Sequence, residues 1–144
     1  MSEQENIRLA EQQIALLNAH DLDRYLQRID ESYVGESELI PEPVRGTAGV
    51  RQTLEMVLAA FPDLQLEVEQ ILASGDHVIS RIRLTGTHEG SYLGIPATNK
   101  RVSFKACNVV ELRNGKAIRA RLYADNASLL QQLGAISLPR AASA

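Results

Sequence analysis

The chain has 144 residues, 44% of them apolar and 23% charged, with a formal net charge of −3. That length fits one domain with a core that needs no staple, and the single cysteine, Cys107, excludes an intrachain disulfide. The balance is mildly acidic and unclustered, the segment Met1 to Asn6 lacks a basic-then-apolar leader pattern, and no apolar run approaches a membrane span. Nucleic acid and membrane are therefore not expected partners, and the cytoplasm is the expected compartment.

Residues 4–19 are predicted as a helix, because Ile7, Ala10, Ile14 and Leu17 recur at helical spacing. A second short helix is expected over 21–29, with Asp21 as N-cap and Leu22, Tyr25, Leu26 and Ile29 on its apolar face. Gly35, Pro41, Pro43 and Gly46 mark 31–46 as loop or short strand. A third helix should start after Thr47, carry Val50, Leu54, Val57, Leu58 and Phe61 on one face, and stop at Pro62-Asp63. From there the period becomes strand-like. Strands are predicted over 64–73, 77–86, 101–112 and 117–124, with a Gly/Pro-containing loop over 87–100. Asn114-Gly115 is the strongest hairpin turn in the chain. A helical turn over 126–133 ends at Gly134, and the Ala/Ser-rich tail 137–144 is expected to fray. Helices followed by a meander give an α+β domain.

The hairpin assigns faces. If Asn114 and Gly115 form the loop, Arg113 pairs with Lys116, Asn108 with Arg121, Ala106 with Tyr123 and Phe104 with Asp125. Alternation then puts Phe104, Ala106, Asn108, Arg121, Tyr123 and Asp125 on one face. Lys105, Cys107, Val109, Ile118, Ala120, Leu122 and Ala124 fall on the other. Enclosed, the first set would be a pocket wall with convergent polar groups; unenclosed, it is the solvated face of an edge hairpin. A one-residue slip would exchange the two faces.

The chemistry that such a wall suits is proton transfer. An aspartate in an apolar enclosure has its charged form disfavoured, and a neighbouring Arg121 opposes that. Tyr123 or Asn108 could hydrogen-bond an oxyanion. His88, at a strand end, reads either as a general acid/base or as a loop histidine capping local backbone groups. His20 and His77 read as surface residues beside turns. No ligand spacing for a metal, no phosphate loop and no nucleophile elbow is present in the sequence. Leu16, Tyr25, Tyr33 and Phe61 are further candidates for shaping a pocket.

Three segments carry a family likeness: AAFPDLQLEVEQILASGDHV (59–78), TGTHEGSYLGIPATNKRV (85–102) and NGKAIRARLYADNASLLQQLG (114–134). Together they resemble the SnoaL-like polyketide cyclases and ester cyclases of the NTF2-like superfamily. The resemblance implies one domain over 1–136, built as a cone. A curved antiparallel sheet of about four to six strands and three N-terminal helices would enclose a pocket. It implies cofactor-free, metal-free chemistry on a hydrophobic, oxygenated, polyketide-like molecule. Asp125 would be the acid/base of an intramolecular aldol ring closure, with Arg121 beside it. The residues read above join them as candidates, His88 and Asn108 for catalysis and Tyr123, Phe104, Tyr33 and Phe61 for binding substrate. It also implies a homodimer through the outer sheet face, expected to carry Cys107, Val109, Ile118, Ala120 and Leu122. Asn108 stands where the related cyclases carry a histidine, and an amide does not titrate near neutral pH. Hydroxylase, epoxide hydrolase and non-catalytic binding therefore stay open beside cyclisation.

Overall fold

The structure is a computed structural model that describes residues 2–139. Helix α1 (Glu3–Asn18) starts in a capping box: Glu5 N–H donates to Ser2 Oγ at 3.1 Å and Ser2 N–H donates to Glu5 Oε2 at 3.0 Å. Short α2 (Leu22–Leu26) follows, capped by Asp21 as its sequence predicts. Strands β1 (Ile29–Ser37) and β2 (Val44–Arg45) precede α3 (Gly46–Ala60). Strands β3 (Gln65–Ser74), β4 (His77–Thr87), β5 (Arg101–Arg113) and β6 (Lys116–Ala124) form the meander, and α4 (Asn126–Gln132) closes the described fold. No described helix is long and apolar enough to cross a membrane.

The six strands form one sheet in the order β2-β1-β6-β5-β4-β3. All pairs are antiparallel except β1 with β6, which run parallel. The segment 31–46, expected to be loop or short strand, therefore contains most of a nine-residue strand. Its polar composition, IDESYVGES, gives little local signal. Its pairing partner is β6, some eighty residues later, so the sheet supplies what the local sequence does not.

Helix α1 is pinned across the sheet at both ends. At its C-terminal end Asn18 brackets one residue of β3, accepting from Leu66 N–H at 2.7 Å and donating to Leu66 O at 2.9 Å. At its start, Glu3 accepts from Gly75 N–H at 2.8 Å and Asn6 donates to Gly75 O at 3.3 Å. His20, exposed as expected, has Nε2 3.1 Å from Leu64 O. The C-terminal end of α3 is covered by the loop 88–100: Glu89 and Gly90 N–H both donate to Ala60 O. Gly90 is required there by space, because a Cβ would stand 2.3 Å from Ala59 O.

Two apolar clusters hold the domain. One joins Ala60, Phe61, Leu64, Val102, Leu129 and Leu133. The other joins Leu26, Ile29, Val50 and Ala117. The tail splits: 137–139 are irregular, and the rest of the expected frayed segment, 140–144, lies outside the described residues.

Candidate functional site

A cavity of about 330 Å³ lies between helices and sheet, lined by residues from both clusters. Its sheet wall uses alternate residues: Val78, Ser80, Ile82 and Leu84 of β4, and Val102, Phe104, Ala106, Asn108 and Val110 of β5. Helix α1 contributes Leu9, Ile14 and Leu17, and α3 contributes Val50, Leu54 and Val57, so most of the lining is aliphatic. The uncharged polar groups among it include Gln13, Tyr25, Tyr33, Ser80 and Asn108. The charged lining residues are Arg28 and Glu36, both exposed and so at the rim. The Asn108 side chain has no hydrogen-bond partner among the described residues, and it is not sealed away as the orphaned buried atoms are. An open amide on an apolar wall can both donate to and accept from a ligand.

Phe104, Asn108, Tyr33 and Phe61, all proposed from the sequence, line this cavity. Arg121 and Tyr123 do not. A β-bulge explains why. Arg113 pairs with Lys116 and Leu112 with Ala117, but Glu111 then pairs with Arg119, so Ile118 is an extra residue on β6. Every later position changes face. Asn108 pairs with Leu122, Cys107 with Tyr123 and Val109 with Arg121. Ala120, Leu122 and Ala124, expected outside, line the cavity instead. Arg121 sits on the outer face, donating to Glu36 and Glu38 at 2.7 Å each, 5.3 Å above the Tyr123 ring. Tyr123 is 51% exposed.

Asp125 follows the same correction. Its carboxylate is exposed and accepts from Ser128 N–H at 3.0 Å, so it is the N-cap of α4. Its chain neighbours Ala124 and Asn126 line the cavity, which brings Asp125 to the edge of the wall with its side chain turned away. His88 is wholly buried, but behind the wall. Thr98 N–H donates to its Nδ1 at 3.2 Å, which puts the ring proton on Nε2, and the ring packs against Phe61 at 5.4 Å. It holds the loop 88–100 and matches the backbone-capping alternative.

Sequence reasoning singled out neither Gln13 nor Ser80; of the helix residues it named as shaping a pocket, Tyr25 lines the cavity and Leu16 does not. Burial raises the Tyr25 and Tyr33 phenols, and Tyr25 adds to the effect on Tyr33. Both stay neutral hydrogen-bond donors at ordinary pH. Among the described residues no group of three or more His, Cys, Asp or Glu side chains is arranged to hold a metal.

The family model for the SnoaL-like polyketide cyclases matches residues 7–133. This chain belongs to that family. AclR of Streptomyces galilaeus, a candidate hydroxylase, is 32% identical to this SnoaL-like chain, with a TM-score of 0.84 over 94% of this chain and 100% of its own. A candidate SnoaL-like polyketide cyclase from Jannaschia sp. CCS1 is 22% identical, with a TM-score of 0.85 over 94% and 95% of the two chains. IdmH of Streptomyces antibioticus, a candidate polyketide cyclase, is 24% identical, with a TM-score of 0.77 over 88% and 96%. No curated protein sequence matches the chain. The cone is thus that of the NTF2-like SnoaL proteins, with an open sheet curved around its cavity.

Proposed function

We propose that this SnoaL-like chain is a small-molecule enzyme whose cone binds a mainly apolar, polyketide-like compound and promotes cofactor-free proton transfer, with intramolecular aldol ring closure as its reaction. The observation that carries the reading is the unpaired Asn108 amide facing a cavity of about 330 Å³ between aliphatic walls. Such a cavity favours flat apolar rings, and an open amide on its sheet wall orients them through one carbonyl. The proton carrier on this reading is Asp125. It has no ion pair among the described residues, whereas Glu36, the one lining carboxylate, is tied to Arg121 at 2.7 Å. Asp125 acts by leaving the Ser128 cap and turning toward a bound ligand. Hydrolysis of an epoxide fits less well, because it wants carboxylates around a water inside the cavity.

AclR, at 32% identity, favours a second reading: hydroxylation of the same class of compound. The mass of the product separates the two. Ring closure isomerises the substrate and leaves its mass unchanged, whereas a hydroxylated product is heavier by one oxygen atom.

The binding test uses anthraquinone as probe against wild type and Asn108→Leu. Replacing an unpaired amide by an apolar group of similar size should leave the melting temperature level or slightly raised. Anthraquinone affinity should fall about tenfold. Equal affinity for both proteins, or no binding to wild type, refutes the reading.

The chain is further proposed to work in the cytoplasm as a homodimer through its outer sheet face. The support there is a row of Leu72, Ile79 and Val109 on paired strands, with Cys107 and Tyr123 in the next row.

A further inference from the structure

Tyr25 of α2 and Tyr33 of β1 come from different elements, yet both rings pack on the same cluster of Leu26, Ile29, Val50 and Ala117. Both line the cavity. Neither hydroxyl has a protein partner among the described residues. They are not sealed off either: the fully occluded, unpartnered side-chain atoms are Asn6 Oδ1, Gln13 Oε1 and His88 Nε2. Two donors with no protein acceptor therefore open on one end of an apolar chamber. An unmet hydroxyl in such a place costs free energy until a ligand or water meets it.

Gly35 fixes where one of them points. A Cβ at Gly35 would stand 2.6 Å from Tyr33 Oη and 2.9 Å from Tyr33 Cε1. The Tyr33 ring edge thus lies flat over the Gly35 backbone, on the inner side of β1. Residues two apart share a strand face, so any larger side chain at 35 would push the phenol off the wall. Gly35 is chosen here for the room it leaves.

We infer that Tyr25 and Tyr33 form a two-donor hole for one carbonyl or enolate oxygen of the ligand, with Gly35 as the residue that positions Tyr33. The inference rests on the reading of the cone as a small-molecule pocket and narrows its ligands to compounds with an acidic enol or phenol. Neutral phenols suit this role: they donate without bringing a charge, and they stabilise an oxyanion more than the ketone it forms from. The charged lining groups, Arg28 and Glu36, are common to every variant below, so differences between variants report the phenols alone.

The probe is alizarin, a tricyclic phenolic dye whose colour reports its ionisation. Bound to wild type, it should ionise at lower pH than when bound to Tyr25→Phe or Tyr33→Phe. Each lost donor should raise the midpoint by about one pH unit, a tenfold weaker hold on the anion. Gly35→Ala should raise it as Tyr33→Phe does, and adding Gly35→Ala to Tyr33→Phe should move it no further. Both Phe variants keep the ring, so thermal unfolding should confirm intact folds. A dye that binds with its midpoint unmoved in both Phe variants overturns this inference alone. A dye that fails to bind wild type overturns the reading of the cone, and the inference with it.

Discussion

Asp125 has two separable jobs, and a pair of substitutions divides them. As N-cap of α4 its Oδ1 accepts from Ser128 N–H at 3.0 Å. That helix carries Leu129, 2% exposed, into the core, with Leu133 at its end 3% exposed, so the cap steadies part of the cavity wall. Asp125→Ala removes the acceptor and should cost about 1 kcal/mol. For a chain of this size that is about 4 °C in melting temperature. Asp125→Asn keeps a capping oxygen of equal quality and should melt with wild type. An amide cannot carry a proton, so if Asp125 is the acid/base, Asp125→Asn should lose about a hundredfold or more in kcat. The assay pairs thermal unfolding with turnover of a polyketide-like substrate found by ligand screening. Full turnover by Asp125→Asn would refute Asp125 as the proton carrier and leave it a cap. An unshifted melting temperature in Asp125→Ala would refute the cap's contribution.

Asp63 should tie stability to acid. Its carboxylate accepts from Thr87 N–H and Thr87 Oγ1 at 2.7 Å each, with Arg101 at 3.4 Å, and these bonds hold it below the usual carboxylate range. The folded chain then releases this proton more readily than the unfolded chain, so the contribution is whole above the unfolded value near ~4 and fades as pH falls below it. Asp63→Ala should lose about 1 kcal/mol at pH 7, modest because the group is half exposed, and the gap to wild type should narrow below about pH 4. A gap that widens in acid contradicts the assignment. Sedimentation at micromolar concentration should give twice the 15.8 kDa chain mass, and Val109→Asp should return it to monomer. A monomeric wild type removes the dimer from the proposal.

The chain's own pattern determines much of the fold. Helices α1 and α3 follow from apolar residues at helical spacing, and β3 to β6 from alternation between turn signals. The Asn114-Gly115 turn has positive φ at both residues, 52° and 76°, as a two-residue hairpin of that composition requires. These features rest on contacts between residues close in sequence. The same local logic placed Phe104 and Asn108 on the wall, because β5 runs straight up to the turn.

Tertiary structure decided the rest. Strand β1 exists because β6 lies beside it, a pairing no local window contains. The extra residue at Ile118 carries no signature in KAIRARLYA, yet with a side-chain period of two it reverses every face after it. That single residue sends Arg121 and Tyr123 to the outer surface and brings Ala120 and Leu122 in to line the cavity. Which side chains meet in the chamber depends on how distant strands lock together, and alternation along one strand cannot report that.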